Sequence, residues 1–391
     1  MIAGPRSDRI PICPRAERVN VARSLPHRPD RVPRVPTMSI PTEPIGSLPR
    51  SAALHHARIQ HANGRINDQE LAEVQAQAVA DTLDRLEKLG SPVLVDGDQA
   101  KPSAVTYPLD GFTGLAPDGV VVPYADGHSR TLPRLSSGPF RYGVRADSYL
   151  RTSRQHTELP VKATVAAPSG LSLLYPADGL AGYPRETFLD DLLAESEAEI
   201  RGCLDAGAHR VQLDFGEARL ALKLDPSGGL LDDLVALNNR VLERFTEEER
   251  ARIGVHTHPG ADQGSTHSLD VDYAELLPRL FQLAAGSFFL QMASETDPDR
   301  VLGVVAGTLR ADAQVFVGVT DPLDPRVETP DEVRDRVLVA ARHLPLDRLG
   351  TCDDAGFAMY ADDTALSRET AFAKIDARLR GTERAARDLG L

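Results

Sequence analysis

The stretch Val211-Gln212-Leu213-Asp214-Phe215, followed after a long amphipathic segment by Ile253-Gly254-Val255-His256-Thr257-His258, decides how this chain is read. Each run is short, apolar and β-branched until it ends in a charged or polar residue. Strands buried on both faces have this character, and parallel sheets are where such strands occur. Between the two runs, Leu230, Leu231, Leu234, Leu237, Val241, Leu242 and Phe245 recur at helical spacing, with Asp232, Asp233 and Asn239 on the opposite face. Strand, helix and strand in that order make a βαβ unit, whose two strands must lie parallel.

Working outward, the same alternation recurs along the chain. Strand-like runs are found at Pro44–Ser47, Val93–Asp98, Val161–Ala167, Val211–Phe215, Ile253–Thr257, Phe288–Ala293, Val315–Thr320 and Leu349–Asp353. Helical patterns separate them, such as Leu71, Val74, Ala78 and Leu86 ahead of Gly90, a residue suited to end a helix. Eight such runs fit an α/β protein built as a single (β/α)8 TIM barrel, and a doubly wound open sheet is the competing arrangement. Residues Pro102–Pro139, rich in Gly and Pro, read as a long excursion over the barrel mouth between the second and third strands. No internal repeat is visible beyond the alternation itself.

The first 37 residues differ from the rest. They carry eight Arg, seven Pro and three acids (Asp8, Glu17, Asp30), a formal balance of +5, against −18 for the remainder of a chain whose net charge is −13. With so little apolar patterning, this segment is expected to be a disordered extension, leaving 38–391 as the barrel domain. Met38 opens the patterned region, so an over-long start is the plainer reading of the tail, with a transit-like role in competition. The acidic balance disfavours nucleic acid and anionic lipid as partners, and no stretch is apolar enough to span a membrane. Three cysteines, Cys13, Cys203 and Cys352, form neither a disulfide framework nor a CxxC pair, which suits a reduced, cytoplasmic setting.

In a barrel, chemistry sits where the strands end. His256 and His258 lie two apart on one strand and so share a face, a geometry suited to two ligands on one metal ion. Hydrogen bonding at a strand end competes with that reading. Glu295 is a candidate third ligand, although it equally suits the start of the next helix. Gln291 is a poorer, neutral donor. His267 lies in a loop where capping near Ser268 competes, and Cys352 is either a soft ligand or an inert buried thiol. Asp96 and Asp98, Asp214 and Asp321 end neighbouring strands, with Glu217 and Arg219 close behind. Converging carboxylates suit acid–base work or the binding of a substrate amine, and ordinary loop capping is the alternative. Asp353 and Asp354 are placed to position substrate or orient a histidine.

These residues resemble a known family, the cobalamin-independent methionine synthases. Ile45-Gly46-Ser47-Leu48-Pro49-Arg50 is similar to the Ile-Gly-Ser-Phe-Pro-Arg opening of that family's catalytic barrel. VLVDGD resembles its Val-His-Gly-Glu strand, VQLD its Gln-Ile-Asp-Glu-Pro strand, GVHTHPG its His-x-Cys strand and DDAGF its Asp-Cys-Gly-Phe strand. The likeness runs in order over residues 40–385, and the family's amino-terminal duplicate barrel is missing, as in a short, single-barrel branch. The resemblance implies a metal, zinc above all, that activates a thiol such as homocysteine to attack the methyl group of a folate, without cobalamin. It places His256 at a metal ligand and Ile45, Gly46, Ser47, Asp98 and Asp214 around the amino-acid end of the substrate.

The departures are as informative. His258 stands at one ligand cysteine, Ala355 at the other, and Gln291 at the ligand glutamate, with Glu295 near; Leu323 lies at the proton-donating histidine, and Trp is absent. Replacing thiolate by imidazole and carboxylate shifts the expected ion toward zinc, iron or manganese on N and O ligands. Three functions follow: a metal-dependent methyl or alkyl transferase with Asp98, Asp214 and Asp321 as catalytic acids; a divergent metalloenzyme, with iron and oxygen, on a sulfur-containing or amino-acid-like substrate; and a non-catalytic small-molecule-binding paralogue.

Overall fold

The computed structural model describes residues 39–391; the Arg/Pro-rich extension expected at 1–37 lies outside them. Six parallel strands form one sheet in sequence order: β1 (Ala163–Ala166), β2 (Val211–Asp214), β3 (Ile253–Thr257), β4 (Ser287–Leu290), β5 (Gln314–Gly318) and β6 (Leu349–Cys352). A doubly wound sheet would reverse its order partway, and this one does not. Two further staves close the ring through single parallel bridges, Thr42 to Thr351 on β6 and Leu94 to Val161 just ahead of β1. They join each other where Leu48 N–H donates to the Gly97 carbonyl at 3.0 Å. The fold is a (β/α)8 barrel.

The first stave pairs earlier than the sequence suggests. Glu43 N–H donates to Thr351 O at 3.0 Å and Thr351 N–H to Pro41 O at 2.8 Å, so 41–43 hold the ladder. Residues Pro44–Ser47, expected as the strand, run on toward the mouth. The helices agree more closely: α1 (Asp68–Leu89) stops at Gly90 in the left-handed region, and α2 (Gly229–Leu242) covers the predicted leucine stripe.

Side chains alternate between two packed regions. Leu213, Val255, Phe288, Leu290, Val315 and Val317 belong to the main core together with helical residues such as Leu234, Val241, Leu276 and Val305. Burying each contributes about 1.5–3 kcal/mol. Inside the ring, Phe289 and Phe316 stack at 4.5 Å between centroids, packed with Ile45 and Cys352. Gly350 must lack a side chain because a Cβ there would collide with the Phe316 ring. At the N-terminal ends of the strands lies a buried ionic group in which Glu43 meets Arg210 at 3.2 Å and Lys162 at 3.8 Å.

The excursion 102–139 is a strap made of two small antiparallel ribbons, Leu115–Ala116 with Arg134–Leu135 and Val121–Pro123 with Ser129–Thr131. Ala104 N–H donates to Met359 O and Ala125 N–H to Thr266 O, both at 2.9 Å. These anchors lie in the loops that follow β6 and β3, so the strap crosses the C-terminal end of the barrel. Among the described residues no helix is long and apolar enough to cross a membrane.

Candidate active site

Parallel pairing sets Asp214, the last residue of β2, directly beside His256 on β3. One Asp214 oxygen lies 2.6 Å from His256 Nδ1, and the other ring nitrogen, Nε2, lies 3.2 Å from the Asp354 backbone carbonyl. Two residues on, His258 accepts a hydrogen bond at Nδ1 from the Gly260 N–H at 2.9 Å and sets Nε2 3.8 Å from the same Asp214 oxygen. Gly260 takes φ +75°, which a residue with a side chain adopts at a cost. The two imidazoles are 1% and 2% exposed and stack with centroids 4.9 Å apart. Burial pushes the His258 pKa down to about 3, with His256 and His267 adding to the effect, so the ring is neutral. Burial acts to raise Asp214, but the charge and hydrogen bond of His256 leave it below the ordinary carboxylate range.

Asp214, His256 and His258 each bring a ligand atom within 4.8 Å of the others. This is an N,N,O donor set. It does not suit thiolate zinc, since Ala355 has no donor, but it suits a divalent ion on imidazole and carboxylate with a position left open. Ligation through His258 Nε2 surrenders the bond from Gly260, an exchange of about 1 kcal/mol. Sequence reasoning gives Asp214 to substrate and to catalysis; its place beside the two histidines follows from a pairing register that a single strand does not reveal.

The other ligand candidates stand outside this cluster, each with a contact of its own. Arg219, 1% exposed, donates to Gln291 Oε1 at 2.7 Å and lies 3.4 Å from Glu295. Both side chains are engaged by this buried cation. Cys352 is packed inside the ring, its thiol directed to Phe316 O at 3.4 Å, and burial pushes that thiol well above its ordinary pKa. His267 bonds Ser268 at 2.8 Å.

The expected substrate residues divide similarly. Asp98, at φ +53°, holds Lys101 Nζ at 2.8 Å and receives Thr164 Oγ1 at 3.1 Å. An incoming amine therefore has to compete with a buried lysine. Ile45 belongs to the ring interior, Gly46 passes so near Thr164 that a Cβ would lie 2.8 Å from its methyl, and Ser47 O accepts from Phe357 N–H at 2.9 Å. Asp321 caps its own loop, accepting from Leu323 N–H at 2.9 Å, and is not among the clustered ligand groups. Asp354 accepts from the Met292, Ala293 and Ser294 N–H groups and the Ser294 hydroxyl, all at 2.8 Å, and so fixes the loop after β4. Asp353 pairs with the buried Arg378 at 3.0 Å.

A small cavity of about 80 Å³ opens beside the trio, lined by Asp214, Glu217, Gly170 and His258 and roofed by Val122, Tyr124, Arg130 and Leu132 of the strap. Glu217 opens helix α3 (Glu217–Leu224) and takes a short hydrogen bond from the Ser169 hydroxyl. Burial raises its pKa to about 7, the Ser169 hydroxyl opposing and Asp214 adding. A wider groove on the outer face, lined by residues such as Leu189, Leu234 and Arg240, includes none of the trio.

Comparison with known proteins agrees with this architecture. The chain is 27% identical over 355 residues to a 5-methyltetrahydropteroyltriglutamate–homocysteine methyltransferase of Nitratidesulfovibrio vulgaris, covering 88% of this chain and 41% of that one. It is 23% identical to the uncharacterized protein YxjH of Bacillus subtilis, covering 85% and 90%. Thus it spans about two fifths of the length of the first of these relatives. A solved B12-independent methionine synthase from Shewanella sp. W3-18-1, in complex with selenomethionine, superposes with a TM-score of 0.70 at 19% identity, over 90% of this chain and 99% of that one. A putative vitamin-B12-independent methionine synthase from Listeria monocytogenes gives 0.62, also at 19% identity and with the same shares covered. Residues 40–371 match the family described as "Cobalamin-independent synthase, Catalytic domain", and the chain belongs to that family.

Proposed function

We propose that this barrel transfers a methyl or related alkyl group to a thiol, homocysteine being the first acceptor to try and 5-methyltetrahydrofolate the first donor. The observation that carries the reading is the clustering of Asp214, His256 and His258 at the strand ends beside a roofed cavity, in a chain of this family. A divalent ion, zinc first and iron second, would be held by these three residues and would favour the thiolate over the thiol by its charge. Asp214 lies 2.6 Å from His256 Nδ1, so a carboxylate oxygen and an imidazole nitrogen stand side by side as donors for one ion. The strap residues Val122, Tyr124 and Leu132 set apolar side chains along the cavity, and apolar walls strengthen charge interactions beside them.

Purified protein carrying stoichiometric zinc, lost in both His256→Ala and His258→Ala, supports this reading, as does methionine formed from the two substrates. Absence of both a bound metal and methionine leaves the binding-protein reading in place. A two-histidine, one-carboxylate set also matches non-haem iron sites. Iron in the protein, with oxygen uptake on addition of a sulfur-containing substrate, is the outcome that favours this second reading.

A further inference from the structure

Asp214 and His258 open onto the roofed cavity, so an acceptor whose sulfur meets the trio lays its tail there. The walls around that tail are apolar: Ala166 at the end of β1, Leu173, Leu220 on α3, Met359, and Val122 and Leu132 from the strap. The volume of about 80 Å³ takes roughly five to eight water-sized groups, which suits a short chain. A carboxylate on that chain needs more than room, because a buried charge requires a cation or several N–H donors. Among the described residues, the cations around the trio and its cavity are committed elsewhere. Arg130 divides its guanidinium between Asp262 at 2.6 Å and Asp362 at 2.9 Å. Arg219 gives its terminal nitrogens to Gln291, Glu295 and the Val271 carbonyl, and Arg50 gives its own to the carbonyls of Ala358, Tyr360, Asp98 and Lys101. Lys101 Nζ meets Asp98 at 2.8 Å, Thr164 Oγ1 at 2.8 Å and Thr164 O at 2.9 Å, which matches three acceptors to its three protons. The same contact closes Asp98 to an amine. On the wall itself, the Ser268 hydroxyl donates to Pro259 O at 3.2 Å and so receives the His267 Nδ1–H at 2.8 Å, leaving the neutral ring no N–H at Nε2. The wall's acids, Asp214 and Glu217, oppose a carboxylate further.

We propose that the acceptor is a short thiol with an apolar chain and no carboxylate, an alkanethiol by class. The inference rests on the thiol-acceptor reading above and narrows it, because an amino-acid thiol would bury a carboxylate beside apolar walls and two acids. In the transfer, the S–H bond breaks with its electron pair left on sulfur, and that pair forms the S–CH3 bond. The donor's bond to the methyl breaks, and the donor keeps that pair and takes up a proton in exchange. The product is a neutral thioether, which the apolar walls hold as readily as the thiol.

Calorimetric titration of thiols into the zinc-loaded full chain at about pH 7 tests this without a methyl donor. The probes are 3-methylbutanethiol, 3-mercaptopropionate and homocysteine; the first two match in shape and differ by an isopropyl end against a carboxylate. The neutral thiol should bind at least about tenfold more tightly than either of the others, since a buried charge without a partner costs at least that factor. Leu132→Lys sets a cation on the half-buried roof and should cut the preference over 3-mercaptopropionate by about tenfold. A smaller or reversed preference in the wild type overturns the inference and leaves the thiol-acceptor reading intact. An unchanged preference in the folded Leu132→Lys protein places the tail outside this cavity and overturns the inference as well. No binding heat with any of the three thiols overturns the thiol-acceptor reading and this inference together.

Discussion

Asp214 shows how one side chain is given its task by its neighbours. The carboxylate is shared between His256 at 2.6 Å and His258 at 3.8 Å, so Asp214→Asn preserves shape while removing the charge that holds both rings. We expect its affinity for a divalent ion to fall about 10–100-fold, measured by competition with a chromogenic chelator, with little change in melting temperature; unaltered affinity removes Asp214 from the set. Glu217 supplies a second prediction, on stability. Its folded pKa of about 7 lies above the ordinary value near 4.3, so its contribution to stability is intact below about pH 4 and is lost as pH rises to about 7. Glu217→Gln should therefore exceed the wild type in urea stability above that pH, by roughly 3 kcal/mol, and should match it near pH 4. At this scale the sequence reveals the histidine pair, because residues two apart on a strand share a face. It conceals the fate of Gln291 and Glu295, because the cation that claims them, Arg219, stands on a different element. Cys352 is hidden for a similar reason: its inward-facing neighbours Phe289 and Phe316 come from other strands.

Among the elements, the strap has its own electrostatic attachment. Arg130 meets the buried Asp262 through Nε at 2.6 Å and Asp362 through Nη1 at 2.9 Å, with its guanidinium over the Tyr360 ring. His128 adds a contact to Asp262 at 3.0 Å. Arg130→Met leaves Asp262 with only part of its compensation, at a cost of about 1–3 kcal/mol. Hydrogen exchange should quicken over 121–131 while β2 and β3 stay protected; equal exchange in both proteins shows that the strap is held by other contacts. The Gly and Pro content of 102–139 discloses an excursion over the mouth. Its ribbons, two or three residues long, are too short for any periodicity, and they exist because Asp262, Thr266 and Met359 offer partners on distant loops.

At the level of the whole molecule, eight strand-like runs separated by helices were enough to read a barrel, and the sheet order agrees. Sequence alone misplaces the start of the first stave because Pro44–Ser47 is the more conspicuous motif, while the pairing belongs to the plainer 41–43. Barrel closure also depends on Glu43, which ties that stave to Arg210 and Lys162. Its pKa is lowered to about 2: burial opposes the shift, but His209, Lys162 and Arg210 outweigh it. The stability it lends is thus present above about pH 4 and is lost as pH falls toward 2. Glu43→Gln strands two buried cations and should cost about 3–5 kcal/mol at neutral pH, shrinking in acid; a neutral-pH denaturation midpoint equal to that of the wild type defeats the claim.

The ring is hooped unevenly. Five consecutive ladders bind β1 through β6, whereas the arc containing 41–48 and 94–97 is fastened by isolated bridges and a few backbone bonds. Mild denaturant should therefore part the barrel along this arc first, slackening Ile45–Ser47 and Asp98 while the imidazoles on β3, gripped by a ladder on either side, keep their spacing.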